Sequence, residues 1–176
     1  MPLKMPICTF DAKTGILCAK CEAKLRSGQI SAADIQASRA LVQIAERVSD
    51  LNKITLLRSF EVEGNYVLEV EPAGAPVFRS KPEIMTNLEQ ILKGKVWVIG
   101  ASNSDRRFLE DLFYPIRILT VNVVWLPDGS KLSKLIIPWR RGDKPLPEFD
   151  VLRKLVKEVK GIELMIETER EAALRL

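Results

Sequence analysis

The segment IRILTVNVVWLPDGSKLSKLII, residues 116–137, decides the fold of this chain. Residues 116–126 are rich in β-branched side chains, and residues 132–137 are mostly apolar. Between them lies the pair Asp128 and Gly129, which suits a turn that needs positive φ. The segment therefore predicts a β-hairpin.

Helices are predicted on both sides of this hairpin. Residues 105–113 and 148–160 have helical apolar spacing, and Gly161 is placed to end the second helix. Residues 162–166 then predict a strand, and residues 168–176 predict a short charged helix or a frayed end. The order along the chain is helix, hairpin, helix, strand.

The same order occurs earlier in the chain. Ser31 and Asp34 are placed to cap a helix, and residues 54–70 predict a hairpin around a Gly-Asn turn. Pro82 suits the first turn of a second helix, which is followed by a predicted strand at residues 95–99. Two α-β-β-α-β units of similar length form an internal repeat, so the predicted fold class is α+β.

This repeat divides the chain into three predicted parts. They are a cysteine-rich segment at residues 1–30, a first unit at residues 31–101 and a second unit at residues 102–176. In each unit, helices are expected to cover the apolar face of a three-stranded sheet. A unit of about 60 residues is marginally stable alone, so we expect the two units to pack together.

The repeat and its local sequence resemble the tandem KH region of the NusA-type transcription factors, particularly the short archaeal forms. The stretch NSDRRFLEDLFYPIRILTV, residues 103–121, carries the resemblance. In that family a helix of this kind ends in a proline, here Pro115, before a strand opens the second KH module. The resemblance covers about residues 31–168, and residues 8–21 are similar to an amino-terminal knuckle of the archaeal branch. It implies an N-terminal zinc knuckle followed by two tandem KH-like modules.

The resemblance also implies a function. The family binds single-stranded RNA and works with RNA polymerase during transcription elongation, pausing and termination, so we expect a non-catalytic RNA-binding accessory factor. The chain has no histidine, which removes the commonest general base and argues against an enzyme. No apolar run is long enough to span a bilayer, and the start lacks the apolar region of a signal peptide. We therefore expect a cytoplasmic protein with no membrane partner and no small-molecule substrate.

A KH module grips the nucleic-acid backbone with a GxxG loop between two helices, because glycine lets the main chain approach phosphate. Counting back from the final strand of each unit places these loops at residues 79–82 and 147–150, and neither contains glycine. The first is basic, with Arg79 and Lys81 as candidate phosphate contacts, whereas the second carries two acids and would repel phosphate. The missing glycines keep a second hypothesis open. This is a KH-fold protein-interaction module that docks on RNA polymerase or a ribosomal partner and has little RNA affinity.

All three cysteines lie within the first 21 residues and are too few for a closed disulfide framework. Cys8 and Asp11 are separated by two residues, as are Cys18 and Cys21, a spacing that suits tetrahedral zinc. We therefore predict a structural zinc site with Asp11 as the fourth ligand. Two other interpretations stay open. Asp11 caps a turn in a segment that has lost its metal, or Cys18 and Cys21 form a redox pair.

The net charge of +4 is unevenly distributed. Residues 1–30 carry five basic residues against two acidic ones, and residues 115–145 carry six against two. Such clusters are typical of surfaces that meet a polyanion, and a solvated charged face is an equal alternative. The candidate RNA contacts in the second cluster are Arg140, Arg141 and Lys144.

Aromatic side chains near the second basic cluster allow two interpretations. The rings of Trp125 and Trp139 are suited to stacking on bases, but tryptophan is usually buried, so we expect both in the core. Phe108 and Phe113 share one face of a predicted helix with leucines, and this pattern also predicts burial.

Overall fold

The computed structural model describes residues 3–114, 116–138 and 149–174, and its fold is α+β. The chain divides into two compact units, Met1–Asn103 and Ser104–Leu176. Each unit contains one three-stranded sheet. Across the described ranges, no helix combines the length and the apolar character needed to cross a bilayer.

The first unit begins with two short helices and continues with helices packed on a sheet. Its helices are α1 (Thr9–Thr14), α2 (Ala19–Ser27), α3 (Ala32–Ala45), α4 (Ala75–Ser80) and α5 (Pro82–Leu92), and its strands are β1 (Leu56–Val62), β2 (Asn65–Val70) and β3 (Val96–Gly100). Strand β2 is central, antiparallel to β1 and parallel to β3. The predicted hairpin, the helix that begins at Pro82 and the strand that follows it are confirmed.

The core of the first unit contains residues of its sheet and of helices α3 and α5. Leu41 of α3, Leu68 of β2 and Leu88 of α5 are completely buried. These helices carry apolar residues on one face, and that face covers the sheet because burial removes apolar surface from water.

The amino-terminal segment shares this core. Ile7 and Cys21 are buried in it, and the backbone of Lys4 hydrogen-bonds to the chain on either side of Thr55, at Ile54 and Leu56. The boundary expected at residue 30 therefore runs through one continuous hydrophobic cluster. Apolar residues spread over the first 30 positions bring this about, because several of them belong to the same core cluster and α1 packs on α3.

Asp34 joins helix α3 to strand β1. Ser31 and Asp34 form the predicted capping box, in which the Ser31 N–H donates to Asp34 Oδ2 at 2.8 Å and the Asp34 N–H donates to Ser31 Oγ at 3.4 Å. The second carboxylate oxygen, Oδ1, accepts the N–H of Ser59 in β1 at 2.6 Å. Asp34 is 2% exposed, so one buried carboxylate both starts the helix and ties it to the sheet.

The second unit repeats the order of helix, hairpin, helix and strand. Its helices are α6 (Asp105–Phe113), α7 (Phe149–Lys160) and α8 (Glu169–Leu174), and its strands are β4 (Thr120–Trp125), β5 (Lys131–Ile137) and β6 (Glu163–Thr168). Strand β5 is central, antiparallel to β4 and parallel to β6. The hairpin is confirmed, but β4 begins at Thr120 rather than at residue 116. The β-branched residues before it pack without joining the ladder, and Ile118 is buried.

The core prediction for helix α6 is confirmed, because Phe108 and Phe113 are buried. The core prediction for Trp125 is wrong, since this side chain is 70% exposed. Trp125 ends β4, an edge strand on which Val123 and Val124 are also exposed. β-Branched and aromatic composition predicted the strand correctly but does not show how much of it the helices cover.

Several residues named in the sequence analysis lie outside the described ranges. They are Pro115, Trp139, Arg140, Arg141, Lys144, Pro147 and Glu148.

Two substitutions separate the capping role of this helix start from its contact with the sheet. Ser31→Ala removes part of the cap and is expected to lower the free energy of unfolding by about 1 kcal/mol. Asp34→Ala also leaves the Ser59 N–H without its acceptor, so we expect a loss of about 2–4 kcal/mol. Urea unfolding followed by circular dichroism measures both values. Equal losses in the two variants would contradict the contact between α3 and β1.

Candidate metal centre

The four predicted ligands come together in the first unit. One ligand atom from each of Cys8, Asp11, Cys18 and Cys21 lies within 4.8 Å of the other three. Zinc–sulfur bonds of about 2.3 Å define a tetrahedron with edges of about 3.8 Å, so shifts of about an ångström or less bring these atoms onto one ion. The four residues thus form a site at which a metal ion can bind.

Two short helices explain why these residues meet. Cys8 is the N-cap of α1 and Cys18 is the N-cap of α2, while Asp11 and Cys21 occupy the third position of the same two helices. The N-cap side chain of a helix faces the side chain at its third position, as it does in a capping box. Two helix starts placed together therefore supply four converging donors.

A hydrogen bond crosses between the two helix starts. The N–H of Cys18, the N-cap of α2, donates at 2.9 Å to Oδ2 of Asp11, the third residue of α1. This N–H favours negative charge on the carboxylate, which is the form that a metal ion binds.

The surroundings of Asp11 distinguish between two interpretations of this residue, as a metal ligand and as the cap of a turn. Asp11 is 1% exposed, and among the described residues its Oδ1 atom has no hydrogen-bond partner of acceptable geometry. Turn capping explains the hydrogen bond at Oδ2 and leaves Oδ1 unexplained. A buried carboxylate oxygen without a partner is unfavourable, and a cation among the three sulfurs would satisfy it. The buried carboxylate therefore fits a cation site.

The Asp11 carboxylate and the thiols of Cys8 and Cys21 shift one another's pKa values. The Cys21 thiol, the Cys18 N–H and the Cys8 thiol hold the pKa of Asp11 well below its usual range. Burial, followed by the Asp11 carboxylate, raises the pKa of Cys21 to about 12. The Asp11 N–H lowers the pKa of Cys8, but the Asp11 carboxylate and burial outweigh it and leave this pKa raised. A redox pair needs a lowered thiol pKa, which the buried Cys21 does not provide.

Gly15 shapes the loop that connects the two helices. It ends α1 with φ of 80°, and its N–H donates to the Asp11 carbonyl oxygen at 2.9 Å. A Cβ atom at this position would lie 2.9 Å from Nη2 of Arg39, so the guanidinium group packs directly over the glycine. The turn needs glycine both for its left-handed conformation and for this close approach.

The predicted phosphate contacts Arg79 and Lys81 lie at the junction of α4 and α5. Arg79 is in the last turn of α4, and Lys81 is the single residue between the two helices. The Lys81 ammonium lies 2.6 Å from Asp50 Oδ2, which lowers the pKa of Asp50 and raises that of Lys81. The charge of Lys81 is thus matched by Asp50, which lies far from it in the sequence.

Acids also pair with two lysines of the basic cluster at residues 115–145, within the part of it that the structure describes. The ammonium of Lys131 pairs with Asp105, and the ammonium of Lys134 lies 3.2 Å from Glu167. These two lysines are therefore paired with acids of the second unit rather than forming an open cationic surface. Arg117 is exposed.

Sequence reasoning missed two exposed apolar residues beside the cysteine cluster. Phe10 is 71% exposed and Ile16 is 74% exposed. Phe10 stands between Cys8 and Asp11 in the sequence, at the second position of α1. The N-cap and third positions turn toward the ligand centre, so the second position turns away from it. The place of Phe10 between two ligand residues could therefore have predicted its exposure.

Comparisons with known proteins add information on the fold. No family model matches the chain, and no curated protein matches it. Its structure is similar to that described as "Crystal structure of APE1850", with 16% sequence identity and a TM-score of 0.50. The match covers 73% of this chain and 96% of APE1850, which is one of 66 chains that match. At this identity the similarity shows the fold alone.

Gly15→Ala tests the packing of Arg39 on the loop, with Gly28→Ala as a matched control. Gly28 ends α2 at φ of 82°, but no atom lies within 4 Å of an added Cβ there. We expect Gly28→Ala to lower the free energy of unfolding by about 1 kcal/mol and Gly15→Ala to lower it further.

The excess loss at Gly15 should disappear in an Arg39→Ala background, because the crowding group is then absent. Chemical unfolding of the four variants measures this coupling. An excess that persists without the guanidinium group would contradict the packing explanation.

Proposed function

We propose that this chain is a non-catalytic RNA-binding accessory factor of transcription elongation and termination, of the NusA-like type. The observation that carries the proposal is the duplication of one topology. In each unit a central strand pairs antiparallel with the strand before it and parallel with the strand after the helical connection. Two such units in tandem agree with the two KH-like modules that the sequence resemblance implies. Under this proposal the protein acts in the cytoplasm with RNA polymerase.

The proposed RNA contact of the first unit is the junction of α4 and α5. It lies between two helices and two residues of the segment are basic, Arg79 and Lys81. Backbone N–H groups at the start of α5, which has eleven residues, add further donors for phosphate. Arg140, Arg141 and Lys144 are proposed as a second set of contacts and lie outside the described residues.

The proposed cofactor is a structural zinc ion held by Cys8, Asp11, Cys18 and Cys21. Their donor set fits the ion, and the buried Oδ1 of Asp11 supports a ligand at that position. Four protein ligands complete a tetrahedral shell, which is typical of structural rather than catalytic zinc. The ion would neutralise the thiolates and hold α1 against α2.

Metal analysis tests the zinc site. We expect about one zinc ion per chain after purification without chelator, and a strong sulfur-to-metal absorption band after substitution with cobalt. Asp11→Ala should lower metal affinity at least tenfold, whereas Asp11→Cys should retain the ion and strengthen the absorption band. A wild-type protein and an Asp11→Cys variant that both fail to bind zinc or cobalt would contradict the site.

The ion pair between Lys81 and Asp50 provides a test of RNA binding. Asp50→Asn releases Lys81, so we expect affinity for single-stranded oligouridine to rise about fivefold at low salt. Lys81→Ala should lower the affinity and reduce the salt dependence by about 0.7 in the slope of log K against log salt concentration. Fluorescence anisotropy over a salt series measures both effects.

Glu61→Gln is the matched control, because it removes an acid from an exposed position on β1 without releasing Lys81. A gain in affinity equal to that of Asp50→Asn would indicate a general charge effect. If the wild-type protein does not bind oligouridine even at low salt, the proposed RNA-binding function is contradicted.

A protein-interaction module is the second candidate. It is favoured by the edge strand β4, where the consecutive residues Val123, Val124 and Trp125 are all exposed. Edge strands pair readily with an extended segment of another protein. The pairing of Lys81 with Asp50 also lowers the charge available to RNA. Under this alternative, Trp125→Ser would weaken capture of RNA polymerase while Asp50→Asn would leave RNA affinity unchanged.

A further inference from the structure

The segment that carries the cysteine cluster presents a small apolar surface to solvent. Phe10 and Ile16 are the two most exposed large apolar side chains among the described residues of the first unit. A single hydroxyl ties their backbones together, because Thr14 Oγ1 donates to the Phe10 carbonyl oxygen at 3.0 Å and accepts the Ile16 N–H at 3.3 Å. The side chains of Phe10 and Ile16 therefore project from one compact turn.

Three basic residues lie on or beside the elements that this turn connects. Lys13 is exposed on α1, and the guanidinium of Arg39 packs on Gly15, the residue before Ile16. Lys20 is exposed at the second position of α2, which is the position that Phe10 occupies on α1. Within the described structure, none of these three basic side chains forms an ion pair.

The two acidic residues of the same segment are either buried or paired. Asp11 is buried in the cysteine cluster, and Glu22 pairs with Arg26 at 2.9 Å. These are the two acidic residues among positions 1–30. The exposed surface of this segment therefore combines an aromatic ring and an aliphatic side chain with basic side chains that form no ion pair within the described residues.

We infer that this surface, formed by Phe10, Lys13, Ile16, Lys20 and Arg39, is a second contact for single-stranded RNA. Phe10 stacks on an unpaired base with Ile16 beside it, while the basic side chains contact the flanking phosphates. The inference rests on the proposed RNA-binding function and adds a contact on a segment to which that proposal assigned only a structural ion.

The size and charge of the surface favour RNA over a protein partner. A standard protein interface buries about 800 Å² on each partner, far more than two apolar side chains provide. One aromatic face is sufficient to stack one base, and cations beside it match the phosphates on either side of that base. The cysteine cluster suits this role, because it fixes the backbone on both sides of Phe10 and so lowers the entropy lost on binding.

Anisotropy titration with single-stranded oligouridine tests the inference in the full chain. We expect Phe10→Ala to weaken binding about tenfold and Phe10→Tyr to restore it, since both rings stack. The double variant Lys13→Gln/Lys20→Gln should reduce the salt slope by about 1.4. Lys93→Gln/Lys95→Gln removes the same charge from two exposed lysines outside the surface and should change the slope less.

A duplex RNA of equal length has no unpaired base for Phe10, so its binding should not respond to Phe10→Ala. Circular dichroism and zinc content check that each variant keeps its fold and its ion. Wild-type binding that is unchanged by Phe10→Ala and by the Lys13 and Lys20 changes would overturn the inference and leave the proposed function intact. No wild-type binding would overturn both. Binding of poly-glutamate in place of RNA, lost in Phe10→Ala, would assign the surface to an acidic protein and overturn the inference.

Discussion

The geometry of a helix start is the constraint on which the amino-terminal part of this molecule depends. An N-cap side chain and the side chain three positions later face each other, and this part of the chain uses the relationship three times. In α3 it pairs Ser31 with Asp34, while in α1 and α2 it pairs Cys8 with Asp11 and Cys18 with Cys21. The first pair joins a helix to a sheet, and the other two pairs form one cluster of ligand atoms. A single backbone rule thus serves both packing and metal chemistry.

The structural features that were predicted correctly depend on residues that are close together in the sequence. The capping box at Ser31, the helix that begins at Pro82 and the hairpin around Asp128 and Gly129 each follow from residues a few positions apart. The ligand cluster was predictable for the same reason, since each of its two pairs is local. Helices α1 and α2 were missed because they are short and because their cysteines were considered only as ligands and not as N-caps.

Features that depend on distant partners were not predictable from the sequence. Lys81 meets Asp50 only after the chain has folded, so a basic segment turned out to contain a paired lysine. Lys131 and Lys134 likewise meet acids from α6 and β6. Trp125 has the composition of a core residue but ends an edge strand, and exposure there depends on where the covering helices lie. The topological duplication was predictable, whereas the surface charge of each unit required the tertiary structure.

The parallel pairing in each sheet has a consequence for biosynthesis. The last strand of each unit pairs with the middle strand, so neither sheet is complete until its helical connection and final strand have been synthesised. The first compact unit ends at Asn103 and includes all four ligand residues. A nascent chain on the ribosome can therefore finish this unit, cysteines included, while the remainder is still being translated. The thiol of Cys21 is then buried before the second sheet exists.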